Sequence, residues 1–202
     1  MKKVLISLLA VAVTFGMVGI AEAAISNGGF ETGLSNWATT IPPGASASAV
    51  TSHAGYSPIE GSYFALLKTD GAGSYTSLSQ TFSISSGLWI EGWAAFDAGD
   101  YSPYNDNAAV RILNGTTLIA TPWYSDVSIV GNYGNSPWTY WSWTAPASGN
   151  YTLQLRVANS TDSINDSYAL FDAVKVVPEP ATMLLLGSGL LGLAAFRRKK
   201  KS

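Results

Sequence analysis

Residues 151–157 read Tyr-Thr-Leu-Gln-Leu-Arg-Val, in which apolar and polar side chains alternate without exception. Successive side chains of a β-strand point to opposite faces, so Tyr151, Leu153 and the other two apolar residues share one face. The polar residues, among them Gln154 and Arg156, share the other face. This stretch therefore predicts a half-buried strand of an antiparallel sheet.

The same period of two recurs along the chain, with turn chemistry such as Asn114-Gly115 between the segments. The candidate strands cover residues 46–52, 63–68, 76–84, 88–96, 108–112, 117–121, 139–144, 151–157 and 169–176. No segment between residues 24 and 177 has a convincing helical pattern. Nine or ten short strands without helices predict an all-β fold, a single β-sandwich of the jelly-roll type.

Composition narrows the possible functions. The 202 residues are 47% hydrophobic and 12% charged, with no cysteine and one histidine, His53. The lack of cysteine excludes disulfides, a thiolate nucleophile and cysteine zinc sites, and a single histidine removes most histidine-dependent catalysis. No Gly-x-Ser-x-Gly motif or tight acidic cluster is present. We expect the protein not to be an enzyme.

Residues 1–23 have the features of a secretory signal peptide. Lys2 and Lys3 precede an uncharged apolar run over residues 4–20, and Ala21-Glu22-Ala23 supplies a small-x-small cleavage pattern. We expect export by the Sec machinery through the inner membrane and cleavage before Ala24. The alternative is an N-terminal membrane helix.

The C-terminal segment, residues 178–202, has three parts. Pro178-Glu179-Pro180 precedes sixteen uncharged residues, 181–196, and then the basic run 197–201. As a helix, residues 181–196 span about 24 Å, less than a hydrocarbon core of about 30 Å. The basic run favours a cytoplasmic end. We expect a transmembrane helix that holds the chain transiently in the inner membrane.

This tripartite segment resembles the PEP-CTERM protein-sorting signal. The resemblance implies a Gram-negative host, processing by an exosortase, and delivery to the cell surface, the outer envelope or the medium of a cell that makes extracellular polysaccharide. The prolines at 178 and 180 would keep the segment extended for the processing enzyme. A plain C-terminal membrane anchor is the alternative.

The middle of the chain, residues 24–177, is expected to form one domain. It holds eleven acidic and four basic residues, a formal charge of −7. Nucleic-acid binding needs basic patches, so we exclude nucleic acid as a partner. Divalent cations and neutral glycans suit the charge better.

Asp172 is expected to share a strand face with Leu170, Val174 and Val176, the face that should be buried. A buried carboxylate is costly unless it is paired or metal-bound, and basic partners are few. Glu31, near the start of the domain, would bring a second hard oxygen donor, so the two carboxylates are a candidate Ca²⁺ site. The alternative is a register slip that exposes Asp172.

Two short motifs resemble galactose-binding-like and carbohydrate-binding-module jelly rolls. They are Asn27-Gly28-Gly29-Phe30-Glu31 at the opening and Phe171-Asp172-Ala173-Val174 at the close. The resemblance implies that Glu31 and Asp172 hold a structural calcium. Ala173 stands where such modules often have a second acid.

All seven tryptophans lie between residues 37 and 143. Alternation over residues 88–96 places Trp89, Glu91 and Trp93 opposite the apolar face, where indoles can stack on sugar rings and a carboxylate can bind hydroxyls. Core packing of these tryptophans is the alternative. The acidic segment 97–106 is either a solvated loop or a second cation or ligand site.

These patterns together predict an exported, exosortase-sorted β-sandwich with a structural or adhesive role at the cell surface or in the extracellular matrix. The alternative function is a calcium-stabilised carbohydrate-binding module that recognises extracellular polysaccharide.

Overall fold

The computed structural model describes residues 25–177. The predicted signal peptide, residues 1–23, and the predicted sorting segment, residues 178–202, lie outside the described residues. Within residues 25–177 the chain forms ten strands and one helical turn, α1 (Val127–Val130). The strands are β1 (Ala38–Thr40), β2 (Ser46–Val50), β3 (Phe64–Lys68), β4 (Tyr75–Ile84), β5 (Trp89–Asp97), β6 (Asn107–Asn114), β7 (Thr117–Asp126), β8 (Thr139–Thr144), β9 (Gly149–Ala158) and β10 (Tyr168–Val177).

The strands form two five-stranded sheets. The first sheet has the order β1-β4-β9-β6-β7 and the second has the order β2-β3-β10-β5-β8. Every pairing of neighbouring strands is antiparallel. The predicted β-sandwich is confirmed. No helix of residues 25–177 is long and apolar enough to cross a membrane.

The core lies between the two sheets and follows the predicted alternation. All four apolar residues of the β9 pattern are buried in it, including Leu153 and Leu155. In and beside β5, Leu88, Ile90 and Phe96 enter the same cluster. These residues form a continuous apolar layer, and burial of such side chains is the main stabilising contribution to a fold of this kind.

Strand β10 departs from regular alternation at Ala173. Ala173 has a positive φ of 53°, and the register with β5 shifts between Asp172 and Lys175. This β-bulge reverses the side-chain alternation, so Val174 joins the inter-sheet core whereas Asp172 does not. The expectation that Asp172 shares a face with Val174 and Val176 is therefore wrong. Asp172 points to the outer face of the second sheet.

A cover loop, residues 51–63, packs on part of that outer face. Beneath it a second apolar cluster is centred on Phe64, Ala95 and Leu170, with Tyr56 and Trp138 against it. The Trp138 indole Nε1 donates to the carbonyl of Ser57 at 3.0 Å. The cover loop thereby buries a patch of the second sheet that would otherwise be exposed.

Candidate metal and ligand sites

Glu31 lies in the opening segment, which we define as residues 27–31. Phe30 of this segment is fully buried and fixes the chain against the core. Its Oε1 accepts hydrogen bonds from the main-chain amides of Ser62 at 2.8 Å and Tyr63 at 3.0 Å. Gly61 has a φ of +68°, and a Cβ there would lie 2.2 Å from Glu31 Oε1. Any side chain at this position would be strained by the positive φ and would displace the Glu31 carboxylate from its two amides, so glycine favours the close approach of the cover loop.

Asp172 is fully buried under the same loop. Its Oδ2 accepts from the amides of Ile59 at 2.7 Å and Glu60 at 3.1 Å, and its Oδ1 accepts from the amide of Ala173 at 2.6 Å. Burial raises the pKa of Asp172, although the three amides act in the opposite direction. The carboxylate is thus stabilised by main-chain amides, and no ion pair within residues 25–177 includes it.

A cavity of about 440 Å³ lies between the opening segment, the cover loop and β10. Glu31 and Glu60 line it, together with Lys175, whose Nζ is 3.9 Å from Glu60 Oε2. Carboxylate oxygens are the hard donors that calcium prefers, so the chemistry of the wall fits the ion. Asp172 does not line this cavity, because its oxygens face the amides of the cover loop. Residues 25–177 contain no group of three or more acidic or histidine side chains within reach of a common metal ion.

The second predicted site lies on the part of the second sheet that the cover loop leaves open. The Glu91 carboxylate is its centre. Glu91 Oε2 accepts from the Trp89 indole at 3.0 Å and from the Tyr140 hydroxyl at 2.7 Å. Lys175 Nζ lies 3.9 Å from Glu91 Oε1. One half-buried carboxylate therefore holds the polar ends of two aromatic side chains and lies beside one cation, which it shares with Glu60.

Trp93 completes this aromatic face, which we define as Trp89, Glu91, Trp93 and Tyr140. The Trp93 and Tyr140 rings contact edge to face with centroids 5.6 Å apart. Both tryptophans are half-buried and neither belongs to the inter-sheet core, whereas Tyr140 is 48% exposed. The face thus combines apolar ring surface with the pair of Glu91 and Lys175.

The sequence reasoning missed a polar face on the outside of the first sheet. Arg156 lies over the Tyr75 ring with its guanidinium carbon 5.4 Å from the centroid, and Arg111 donates to Gln154 Oε1 at 3.2 Å. Burial lowers the pKa of Arg156, and the neighbouring Arg111 charge adds to that effect. Tyr124 is exposed on the same face. The alternation of β9 predicts that Gln154 and Arg156 lie opposite the core. It does not predict that β9 pairs with β6, which brings Arg111 beside them.

The acidic segment 97–106 is only partly a solvated loop, since residues 101–103 are exposed whereas two of its acidic residues are buried. Asp100 and Asp106 are 0% and 1% exposed. Burial raises the pKa of Asp106 to about 6, although hydrogen bonds from Ser167 and Ser160 oppose the shift. Both ends of the segment are therefore anchored at the end of the sandwich by buried carboxyl groups, whereas Asp97 is half-buried.

Comparison with known proteins identifies one sequence motif and one fold. The PEP-CTERM protein-sorting motif matches residues 176–199, so the chain carries the signal by which an exosortase sorts exported proteins to the cell surface. This confirms the resemblance found in the C-terminal segment. No curated protein matches the sequence.

Solved structures with similar folds are carbohydrate-binding-module-like β-sandwiches. One is described as a carbohydrate-binding module of the β-sandwich superfamily, with 12% identity and a TM-score of 0.50 over 78% of this chain and 64% of that chain. A family 16 carbohydrate-binding module has 22% identity and a TM-score of 0.43, over 76% of this chain and 99% of that chain. The K3 adhesin domain of Lys-gingipain from Porphyromonas gingivalis has 16% identity and a TM-score of 0.49, over 77% and 100%. At these identities the similarity is one of fold.

Proposed function

We propose that this exported protein is a non-catalytic adhesive component of the cell surface or extracellular matrix, and that its aromatic face binds extracellular polysaccharide. The observation that supports the proposal most is the arrangement around Glu91. Its carboxylate accepts from both Trp89 and Tyr140, so the rings are held in place before any ligand arrives. A preorganised site loses less side-chain entropy on binding than a mobile one.

The chemistry of the aromatic face suits sugar rings. The C–H groups on one side of a pyranose form an apolar patch that stacks on an indole or phenol ring. Hydroxyl groups at the rim of the sugar would find an acceptor in Glu91 and a donor in Lys175, which lie 3.9 Å apart. Trp89 and Trp93 are four residues apart on one strand face, a separation of about 13 Å. That span suits an extended chain of sugars better than one monosaccharide.

Export and sorting determine where this binding takes place. The proposed route begins with the Sec machinery, passes transiently through the inner membrane by way of residues 178–202, and ends with exosortase processing at the sorting motif. A binding domain released or anchored by this route would meet polysaccharide outside the cell, where no nucleotide or reduced cofactor is supplied.

Calcium is proposed as a structural ion in the cavity beside the opening segment. Glu31 and Glu60 would supply carboxylate oxygens, while Asp172 holds the cover loop in position to complete the wall. Ca²⁺ takes six to eight oxygen ligands, so main-chain carbonyls of the same segments would supply most of the remainder. The ion would tie the opening segment to the cover loop and so stabilise the fold.

Retention on the polysaccharide of the native host tests the binding proposal. The double variant Trp89→Ala/Trp93→Ala should lose retention while its unfolding transition moves little. The matched control is Tyr75→Ala/Tyr124→Ala on the outside of the first sheet, which should bind as the wild type does. Loss of retention in the control alone would place the ligand on the opposite sheet. A tryptophan variant that no longer folds would assign both indoles to packing.

A further inference from the structure

A second acidic site lies at one end of the sandwich, away from the cavity beside Glu31. Asp100 lies in the segment between β5 and β6, and Asp106 directly precedes β6. Both side chains are buried, at 0% and 1% exposure. No ion pair within residues 25–177 includes either of them. Burial of two carboxylates without a cation costs free energy, unless hydrogen-bond donors surround their oxygens.

Neutral hydrogen-bond donors reach only some of the carboxyl oxygens of Asp100 and Asp106. Asp106 accepts from the Ser160 amide at 3.1 Å and from the Ser167 hydroxyl at 2.7 Å. Asp100 Oδ1 accepts from the Tyr101 amide at 2.8 Å and from Asn165 Nδ2 at 3.4 Å. Asp100 Oδ2 is buried and has no partner. One carboxyl oxygen of Asp100 is therefore left without a donor in the interior.

Asn159, close to Asp106 along the fold, is a third buried polar side chain. It is 1% exposed, and neither its Oδ1 nor its Nδ2 has a hydrogen-bond partner. Asn107 of β6 pairs with Ala158 of β9, so Asp106 and Asn159 are the residues just beyond this last pair. The amide of Ser160, the residue after Asn159, donates to Asp106 Oδ1 at 3.1 Å, so the chain at Asn159 runs beside this carboxylate. Asn159 is thus a buried amide without a partner, next to the loop residue that bonds Asp106.

We propose that Asp100, Asp106 and Asn159 form a calcium site that ties the segment 98–106 to the end of β9. The donors are two carboxylates and one amide oxygen, all hard ligands, and Ca²⁺ accepts such a set when main-chain carbonyls complete the coordination. Bound calcium would neutralise the charge on Asp100 Oδ2 and give Asn159 Oδ1 a partner. The net negative charge of the domain favours entry of a divalent cation. The proposal does not depend on sugar binding.

The test compares calcium-stripped mature protein with three variants: Asp100→Asn, Asp106→Asn and, as matched control, Glu31→Gln at the other cavity. Isothermal titration with calcium chloride measures the number of ions bound. Thermal unfolding in chelator and in millimolar calcium measures the stabilisation. The first two variants should each bind one calcium fewer than the wild type and should show a smaller rise in melting temperature with calcium. Glu31→Gln should keep the site formed by Asp100 and Asp106.

The change in melting temperature that Asp100→Asn causes should differ between chelator and calcium. Without a cation, Asp100→Asn removes an unpartnered buried charge, so in chelator it should leave the melting temperature unchanged or raise it. In calcium the wild type should become the more stable of the two. Equal calcium stoichiometry and equal calcium-induced shifts in the wild type, Asp100→Asn and Asp106→Asn would overturn the proposal. A calcium effect lost only in Glu31→Gln would also overturn it and would leave the structural ion beside Glu31 as the explanation.

Discussion

Glu31 and Asp172 hold two ends of one short segment of the cover loop. Asp172 accepts from the amides of Ile59 and Glu60, and Glu31 accepts from the amides of Ser62 and Tyr63. Glu31 comes from the opening segment and Asp172 from the last strand. The beginning and the end of the sandwich are thereby joined through the cover loop, which in turn buries the second apolar cluster.

Removal of the Asp172 carboxylate should destabilise the protein strongly. Asp172→Ala leaves three main-chain amides without their acceptor, and an unsatisfied buried donor costs about 1–3 kcal/mol. We expect a loss of about 3 kcal/mol or more in the free energy of unfolding, measured by urea denaturation. Asp172→Asn keeps one acceptor oxygen and should lose less. Equal stability of Asp172→Ala and the wild type would contradict the role assigned to these hydrogen bonds.

Two adjacent glycines offer a matched pair for the contact between the opening segment and β10. Gly28 accepts from the Val174 amide at 3.0 Å, and a Cβ on Gly28 would lie 1.8 Å from the Val174 carbonyl oxygen. A Cβ on Gly29 would have no neighbour closer than 4.0 Å. Gly28→Ala should lower the free energy of unfolding by about 2–3 kcal/mol through overpacking, and Gly29→Ala by much less. Similar unfolding midpoints for the two variants would show that the contact is not restrictive.

Asp106 should give the calcium-free protein an unusual pH dependence. Its pKa is raised from 3.8 to about 6, so the native state binds this proton more tightly than the unfolded chain. The contribution to stability is therefore full below about pH 4 and is lost as the pH rises to about 6, on the order of 3 kcal/mol in total. Subtracting the profile of Asp106→Asn from that of the wild type, both measured by urea unfolding, isolates this term. A flat difference between pH 4 and 7 would contradict it.

Processing at both ends should be visible in the mass of the mature protein. The predicted signal peptide ends at Ala23, and the sorting motif covers residues 176–199. Intact mass spectrometry of the protein from its host's surface or medium should show that both ends have been removed. Deletion of the exosortase should leave the C-terminal end in place. Recovery of Ser202 in the exported fraction of wild-type cells would contradict sorting by this route.

The strands were predictable because their burial is periodic. In β5 and β9 one face meets the inter-sheet core and the other does not. Ile90 and Leu153 are apolar residues on the face that meets the core. The bulge at Ala173 was not predictable, because alanine gives no signal for a positive φ. Strand β1 was missed for a related reason, since its three residues are all exposed and carry no apolar pattern.

The candidate sites depended on contacts between distant segments, and this limited what could be predicted. Trp89, Glu91 and Trp93 share a face as local alternation requires, but Tyr140 joins them only through the pairing of β5 with β8. Asp100 and Asp106 accept hydrogen bonds from residues of the distant segment between β9 and β10. Sequence spacing contains no information on that packing, and acidic residues in a segment that also holds Gly99 and Pro103 ordinarily indicate solvent exposure.

The position of β10 has a mechanical consequence. This strand lies inside the second sheet between β3 and β5, and its pairs with β5 extend to Val177, the last residue before Pro178. A tether attached beyond that residue would pull along the strand axis and load the hydrogen bonds to β5 in shear, so that many must break together. A tether that pulled across the sheet, at right angles to the strands, would instead break these hydrogen bonds one at a time. A domain held by its C-terminal side would therefore resist a pulling force with many hydrogen bonds of β10 at once.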